Sequence, residues 1–175
     1  MKQLLSIKLI SLFFLIGCAS SPSSQSTPTS LDNSWSGLFL EQSLDAFIYE
    51  TVTPNSEETG VGISTIFSLS QSDLVVGYAY QATVDGNGGR DSVTFRLTIY
   101  GNKYQGFDVV NHREHNAFGV KQFNALTNAL PGTDVSFDLV NAILIEANAG
   151  RSGISETYDG MMPAIERMTE RYLGL

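Results

Sequence analysis

Between Gly60 and Asn111 the chain alternates apolar and polar residues in one short segment after another, with turn residues between the segments. Gly60–Ser70 sets Val61, Ile63, Phe67 and Leu69 on alternate positions, and Leu74–Val84 is rich in Val, Tyr and Thr. Ser92–Tyr100 alternates Val93, Phe95, Leu97 and Ile99, and Tyr104–Asn111 completes the series. A period of two puts apolar side chains on one face of a strand. Asp85-Gly86-Asn87-Gly88-Gly89 and Gly101-Asn102 supply residues that tolerate positive φ. Connections this short cannot carry a parallel crossover, so the spacing predicts an antiparallel meander.

Outside that block the period changes. Ser43–Glu50 reads as helical or mixed, with Leu44, Phe47 and Ile48 on one side. Val120, Phe123, Leu126 and Leu130 form a helical stripe that stops at Pro131-Gly132. Val135–Glu146 fits a strand at its start and either a strand or a helix after Ala142. Met161, Ile165, Met168 and Tyr172 share one face of a final helix, in which Pro163 is expected within the first turn. Strands in the middle with flanking helices predict an α+β fold. Met161, Met162 and Met168 read as core packing. Tyr78, Tyr80, Tyr100 and Tyr104 suit sheet packing or stacking on an aromatic ligand.

The N-terminal region has a different character. Lys2 and Lys8 precede or flank an apolar run that ends in Leu15-Ile16-Gly17-Cys18. The run is shorter than the roughly 20 apolar residues of a transmembrane helix and fits the core of a signal peptide. Its end looks like a lipobox, with Cys18 as the thiol that takes a diacylglyceryl group. The expected organisation is a lipoprotein signal peptide over 1–17, an acylated Cys18 with a polar, flexible tether over 18–34, and one domain over 35–175. Cys18 is the only cysteine, so the domain is expected to fold on its core without disulfides at the extracytoplasmic face of a bacterial membrane. The chain carries −8 overall, and loss of Lys2 and Lys8 with the leader makes it more acidic still. That balance argues against nucleic acid and against docking on anionic lipid by charge. Membrane attachment would come from acyl chains, at about 0.8 kcal/mol per buried methylene.

Three further segments carry chemistry. They are Gly77-Tyr78-Ala79-Tyr80 running into the glycine turn, His112-Arg113-Glu114-His115-Asn116-Ala117-Phe118-Gly119, and Ser152-Gly153-Ile154-Ser155-Glu156-Thr157. In that order and spacing, over roughly Gly60 to Ala164, they resemble the FMN-binding domain family. That family includes flavin-carrying subunits of the Rnf complex and of the sodium-translocating NADH:quinone reductase, and extracytoplasmic flavin lipoproteins. The resemblance implies that Thr157 is esterified to the phosphate of FMN by a flavin transferase. It implies cofactor contacts from Ser152, Gly153, Ser155, Glu114, Gly88 and Gly89. Read on their own chemistry, the residues agree: Thr157 offers an acceptor hydroxyl, and Ser152, Gly153 and Ser155 offer N–H groups and hydroxyls to a phosphate near a helix start. Thr157 also suits a plain helix N-cap, and the glycines suit a plain hairpin turn. The chain departs from the family where His115-Asn116-Ala117-Phe118-Gly119 stands for Thr-Pro-Gly-Leu-Gly, and where Ile154 and Ser155 stand for Ala and Thr.

Other chemistries find less in the sequence. His112 and His115 have no evident third and fourth metal ligand. Neither has a nucleophile partner in a recognisable motif, and Gly86-Asn87-Gly88-Gly89 has neither the spacing nor the following helix of a dinucleotide or Walker loop. No catalytic residue is therefore assigned. The expectation is an electron carrier with covalent FMN, partnered by a flavin transferase, a membrane electron donor and an extracytoplasmic acceptor. The alternative is a non-flavinylated binding or structural lipoprotein of the same fold.

Overall fold

A computed structural model describes residues 30–40, 42–86, 91–113, 117–147 and 156–175. The strands are β1 (Ile48–Val52), β2 (Ile63–Gln71), β3 (Leu74–Gly86), β4 (Asp91–Tyr100) and β5 (Lys103–His112). They form a five-stranded sheet in the order β1-β2-β3-β4-β5, every neighbouring pair antiparallel. The fold is therefore α+β with a meander sheet, as the alternation predicts. Two hairpins close through turns in which both central residues have positive φ: Ser72 (51°) with Asp73 (65°), and Gly101 (59°) with Asn102 (61°). Such turns follow the right-handed twist of the strands they join.

One face of the sheet is apolar. Ile66, Tyr80 and Leu97 from β2, β3 and β4 lie in register and are fully buried, with Ala82, Phe95, Ile99 and Phe107 around them. Helices α2 (Ala117–Ala129), α3 (Phe137–Ala147) and α4 (Glu156–Leu173) cover this face with Phe123, Leu126, Val140, Leu144, Met161, Ile165 and Met168. Each large apolar side chain buried here contributes about 1.5–3 kcal/mol. Tyr80 and Tyr104 belong to this core. The Tyr80 hydroxyl donates to the Met168 carbonyl at 3.0 Å, and the Tyr104 hydroxyl meets Thr169 Oγ1 at 3.1 Å.

The other face is covered by the segment ahead of β1. Asp32 caps a 3-10 helix, Asn33–Leu38, by accepting from the Ser34 N–H at 2.9 Å. Leu31, Trp35, Leu38, Phe39 and Phe47 then pack on Phe67, Leu69 and Ala79. The packed layer thus takes in Leu31 ahead of Trp35. Arg96, from β4, lies under Trp35 with its guanidinium carbon 4.2 Å from the ring centre. It donates to Gln81 Oε1 at 3.0 Å and to Ser34 Oγ at 2.9 Å.

Three segments read differently in the structure. Ser43–Glu50 divides into a 3-10 turn, Leu44–Ala46, and the start of edge strand β1, whose side chains are mostly exposed and so show no alternation. Val135–Glu146 resolves in favour of helix α3, whose start accepts the Leu139 N–H on Ser136 Oγ at 3.4 Å and which buries Val140 and Leu144 on one side. Pro163 is not in a first turn. Helix α4 begins at Glu156, so Pro163 lies two turns inside it. Burial of Met161, Met162, Ile165 and Met168 on both sides of the proline holds the helix together through the missing hydrogen bond.

Candidate functional site

Strand register decides which sequence motifs meet. Val84 on β3 pairs with Val93 on β4, and Val93 pairs with His112 on β5. Asp85 pairs with Ser92, whose carbonyl accepts the Arg113 N–H at 2.8 Å. The strand ends that flank the glycine turn and the strand end that leads into the Glu114 segment therefore lie side by side at one end of the sheet. Helix α4 starts over the same end. A Cβ built on Gly160 would stand 3.1 Å from the Asp85 carbonyl oxygen and 3.4 Å from Val84 Cβ. A side chain there would press on the strand, so glycine eases the close approach of the helix.

The predicted site residues stand in different relations to this end. Helix α4 is described from Glu156 onward, which puts position 157 in its first turn, one turn before Gly160. Cys18, Gly88, Gly89, Glu114, Ser152, Gly153 and Ser155 lie outside the described residues, as does His115. His112 is exposed on β5, with its ring centre 5.5 Å from that of Phe123 on α2. Of the tyrosines, Tyr80 and Tyr104 are buried in the core, which leaves them to sheet packing. Burial pushes both phenols above their ordinary value, so neither serves as a proton carrier at neutral pH.

Sequence reasoning missed the other wall of this end. Helix α1 (Ser56–Gly60) starts with a capping box: the Asn55 side chain accepts from the Glu57 and Glu58 N–H groups, and Glu58 accepts from the Asn55 N–H at 2.7 Å. The pattern Asn55-x-x-Glu58 was the signal that could have found it. The helix ends at Gly60 with Val61 as its cap, and Gly62 follows with a φ of +87° and a carbonyl that accepts the Thr83 N–H at 2.9 Å. Any side chain at Gly62 would collide with the Thr83 carbonyl. Between α1, β3 and α4 the chain leaves a cleft of about 420 Å³, lined by residues 59–62, 83–85, 159, 160 and 163. That volume is in the range of small-molecule sites.

An ion pair fixes the far end of α4 to α1. Arg171 Nη2 donates to Glu58 Oε2 at 2.8 Å, and Arg171 Nε donates to Glu58 Oε1. Burial raises the Glu58 carboxyl, but the hydrogen bonds from Arg171 and Asn55 outweigh it and hold the group below its ordinary value. Arg167 adds a contact to Glu57 at 3.0 Å. Arg96, by contrast, is engaged by Gln81, Ser34 and Trp35 on the opposite face, and is not available to this end. The cleft carries two carboxylates, Asp85 and Asp159, both exposed.

Among the described residues, no three His, Cys, Asp or Glu side chains gather to hold a metal ion, and no helix is long and apolar enough to cross a membrane. The fold defines an α+β protein whose meander sheet brings the ends of β3, β4 and β5 together under the start of α4, beside a cleft of about 420 Å³. No family model, curated protein or solved structure matches the chain.

Proposed function

We propose that this chain is a lipid-anchored, extracytoplasmic flavoprotein that carries one FMN through a phosphoester at Thr157. It would pass electrons between a membrane reductase and an external acceptor, and would be a carrier rather than an enzyme with its own substrate. The observation that supports the reading most is convergence. The start of α4, the strand ends around the glycine turn and the strand end before Glu114 come together at one end of the sheet, although far apart in sequence.

The residues present fit the group. Thr157 supplies a hydroxyl in the first turn of a helix, where unpaired N–H groups and the positive end of the helix favour a phosphate. Ser152, Gly153 and Ser155 precede that turn and would add N–H and hydroxyl donors. Gly88 and Gly89 would let backbone approach the ligand, and Glu114 would stand near its ring. Gly160 allows α4 to close on Asp85, and a cleft of about 420 Å³ opens beside it. When bound, the flavin supplies the one- and two-electron chemistry, and the protein supplies attachment, orientation and local charge.

Substitution tests the attachment. With a flavin transferase and FAD present, Thr157→Ala should lose in-gel flavin fluorescence, Thr157→Ser should keep part of it, and Ser155→Ala should weaken it without abolishing it. Persistence in Thr157→Ala would move the attachment to another hydroxyl. The anchor is tested separately: Cys18→Ser should leave the chain unprocessed or lost from the membrane fraction, because a hydroxyl is a far weaker nucleophile than a thiolate. Unchanged processing and detergent partition would overturn the lipoprotein assignment.

A further inference from the structure

We infer that the end of the domain opposite the start of α4 docks on the lipid bilayer, through the tip of the β2–β3 hairpin and the start of β1. This rests on the lipid-anchor reading and adds to it an orientation of the domain.

Exposed apolar residues gather at this end. Ile48, Leu74 and Val75 are 63%, 67% and 48% exposed. Strand register sets them side by side: Ile48 pairs with Ser70, Ser70 with Val75, and Gln71 with Leu74. Ser72 and Asp73 turn the hairpin just beyond them. Leu40 and Leu173, each about half exposed, stand at the same end. A Cβ on Gly132 would lie 3.7 Å from Leu40 Cδ1, and the Gly132 N–H donates to the Tyr104 carbonyl beside the β4–β5 turn. Tyr172, next to Leu173, accepts the Asn102 N–H of that turn on its hydroxyl at 2.7 Å. Single exposed apolar residues are ordinary, but a group of them on one end marks a contact surface.

The tether says what covers it. Leu31 is already packed on the sheet, in the cluster that holds Phe47 and Leu69, whose chain neighbours Ile48 and Ser70 belong to the apolar end. Cys18 and Leu31 are 13 residues apart. Even fully extended, that stretch spans at most about 45 Å. The 13 residues of β3 run about 40 Å from the apolar end toward the start of α4. An acylated Cys18 therefore holds the domain within about its own length of the bilayer. At such a high effective concentration, a shallow apolar contact too weak to bind a free protein is enough.

Charge selects the lipid. Asp45 and Asp73, both exposed, flank Ile48 and Leu74. They are repelled by anionic headgroups and suit the outermost ammonium of a zwitterionic lipid. With this end on the membrane, the ends of β3, β4 and β5 under the start of α4 face away from it.

The test uses the full chain, acylated and reconstituted in vesicles of phosphatidylethanolamine and phosphatidylcholine. Cys18 carries the acyl group, so a cysteine introduced elsewhere is the only free thiol and takes an environment-sensitive fluorophore. The label on Val75→Cys should emit further to the blue and be quenched by lipid bearing a nitroxide headgroup. The label on Asn111→Cys, exposed near the far end of β5, should show neither effect. Ile48→Asp combined with Leu74→Asp should abolish the quenching at Val75→Cys, while Trp35 emission stays that of the folded protein and the chain still floats with the vesicles. Replacing half the lipid with phosphatidylglycerol should weaken the quenching. Quenching that is equal at the two sites, absent at both, or indifferent to the paired aspartates would overturn the docking, and flotation would leave the anchor reading standing. A blue shift at Val75→Cys that follows protein concentration and not nitroxide lipid would assign this end to a second copy of the chain and overturn it too. A chain that does not float with the vesicles would remove both readings.

Discussion

At Gly106 on β5 the N-terminal segment rests directly on the sheet. A Cβ built there would lie 2.5 Å from Leu38 Cα and 3.0 Å from Leu38 Cδ2. The 3-10 segment can rest on the sheet only because that position is bare. Gly106→Ala should therefore lift the segment at a cost of about 1–3 kcal/mol, the usual penalty of overpacking. Trp35 is the only tryptophan and is fully buried, so its emission reports the event directly. The expected result is a red shift together with a lower urea midpoint, and unchanged emission would mean that the segment accommodates the methyl. Glu58 gives a second residue-scale expectation. Its side chain is 2% exposed and bound to Arg171, which is 23% exposed. Glu58→Gln should cost about 1.5–3 kcal/mol, the worth of a hydrogen bond to a charged group. The folded carboxyl titrates below the ordinary value of 4.5. Its contribution is therefore complete above that value and is lost as pH falls through the lower, folded one. Urea melts at pH 7 should separate wild type from Glu58→Gln, and melts near pH 3 should bring them closer. A gap that widens toward acid would contradict the ion pair.

At the scale of elements, what the sequence made legible followed side-chain exposure. Strands β2 to β5 lie between two apolar layers, with Val93, Phe95, Leu97 and Ile99 toward the helices and Phe67 and Leu69 toward the N-terminal segment, and each set printed a period of two. Strand β1 lies at the edge with its side chains exposed, and nothing about Ile48-Tyr49-Glu50-Thr51-Val52 alternates except β-propensity. Helix α3 hid for the opposite reason: a continuous apolar run from Ala142 to Ile145 fits a buried strand as well as a helix. Helix α1 spans only Ser56–Gly60 and escapes any periodicity argument, so the cleft it walls was not legible either. Of the candidate site, the order of motifs was readable, and the side of the sheet end that opens into a cleft was not. Pro163 misled because proline favours first turns, whereas here packing of α4 on the sheet overrides the preference. Restoring the N–H in Pro163→Ala should raise stability by up to about 3 kcal/mol. Thermal unfolding followed by far-ultraviolet circular dichroism checks this, and a drop in the midpoint would show that α4 depends on the ring of Pro163.

At the scale of the molecule, three layers share the work. The N-terminal segment closes one face of the sheet, three helices close the other, and the ends of β3, β4 and β5 line up under the start of α4. Under the proposed function, an acidic chain whose one cysteine is Cys18 would be held at a membrane by lipid rather than by charge. The central claim is that this end carries a covalent flavin, and intact mass is its most direct measure. Wild-type chain co-produced with a competent flavin transferase and FAD should gain the mass of one FMN less one water, and Thr157→Ala should gain nothing while keeping the buried Trp35 emission of the folded protein. A folded wild-type chain that gains no mass under those conditions would contradict the claim.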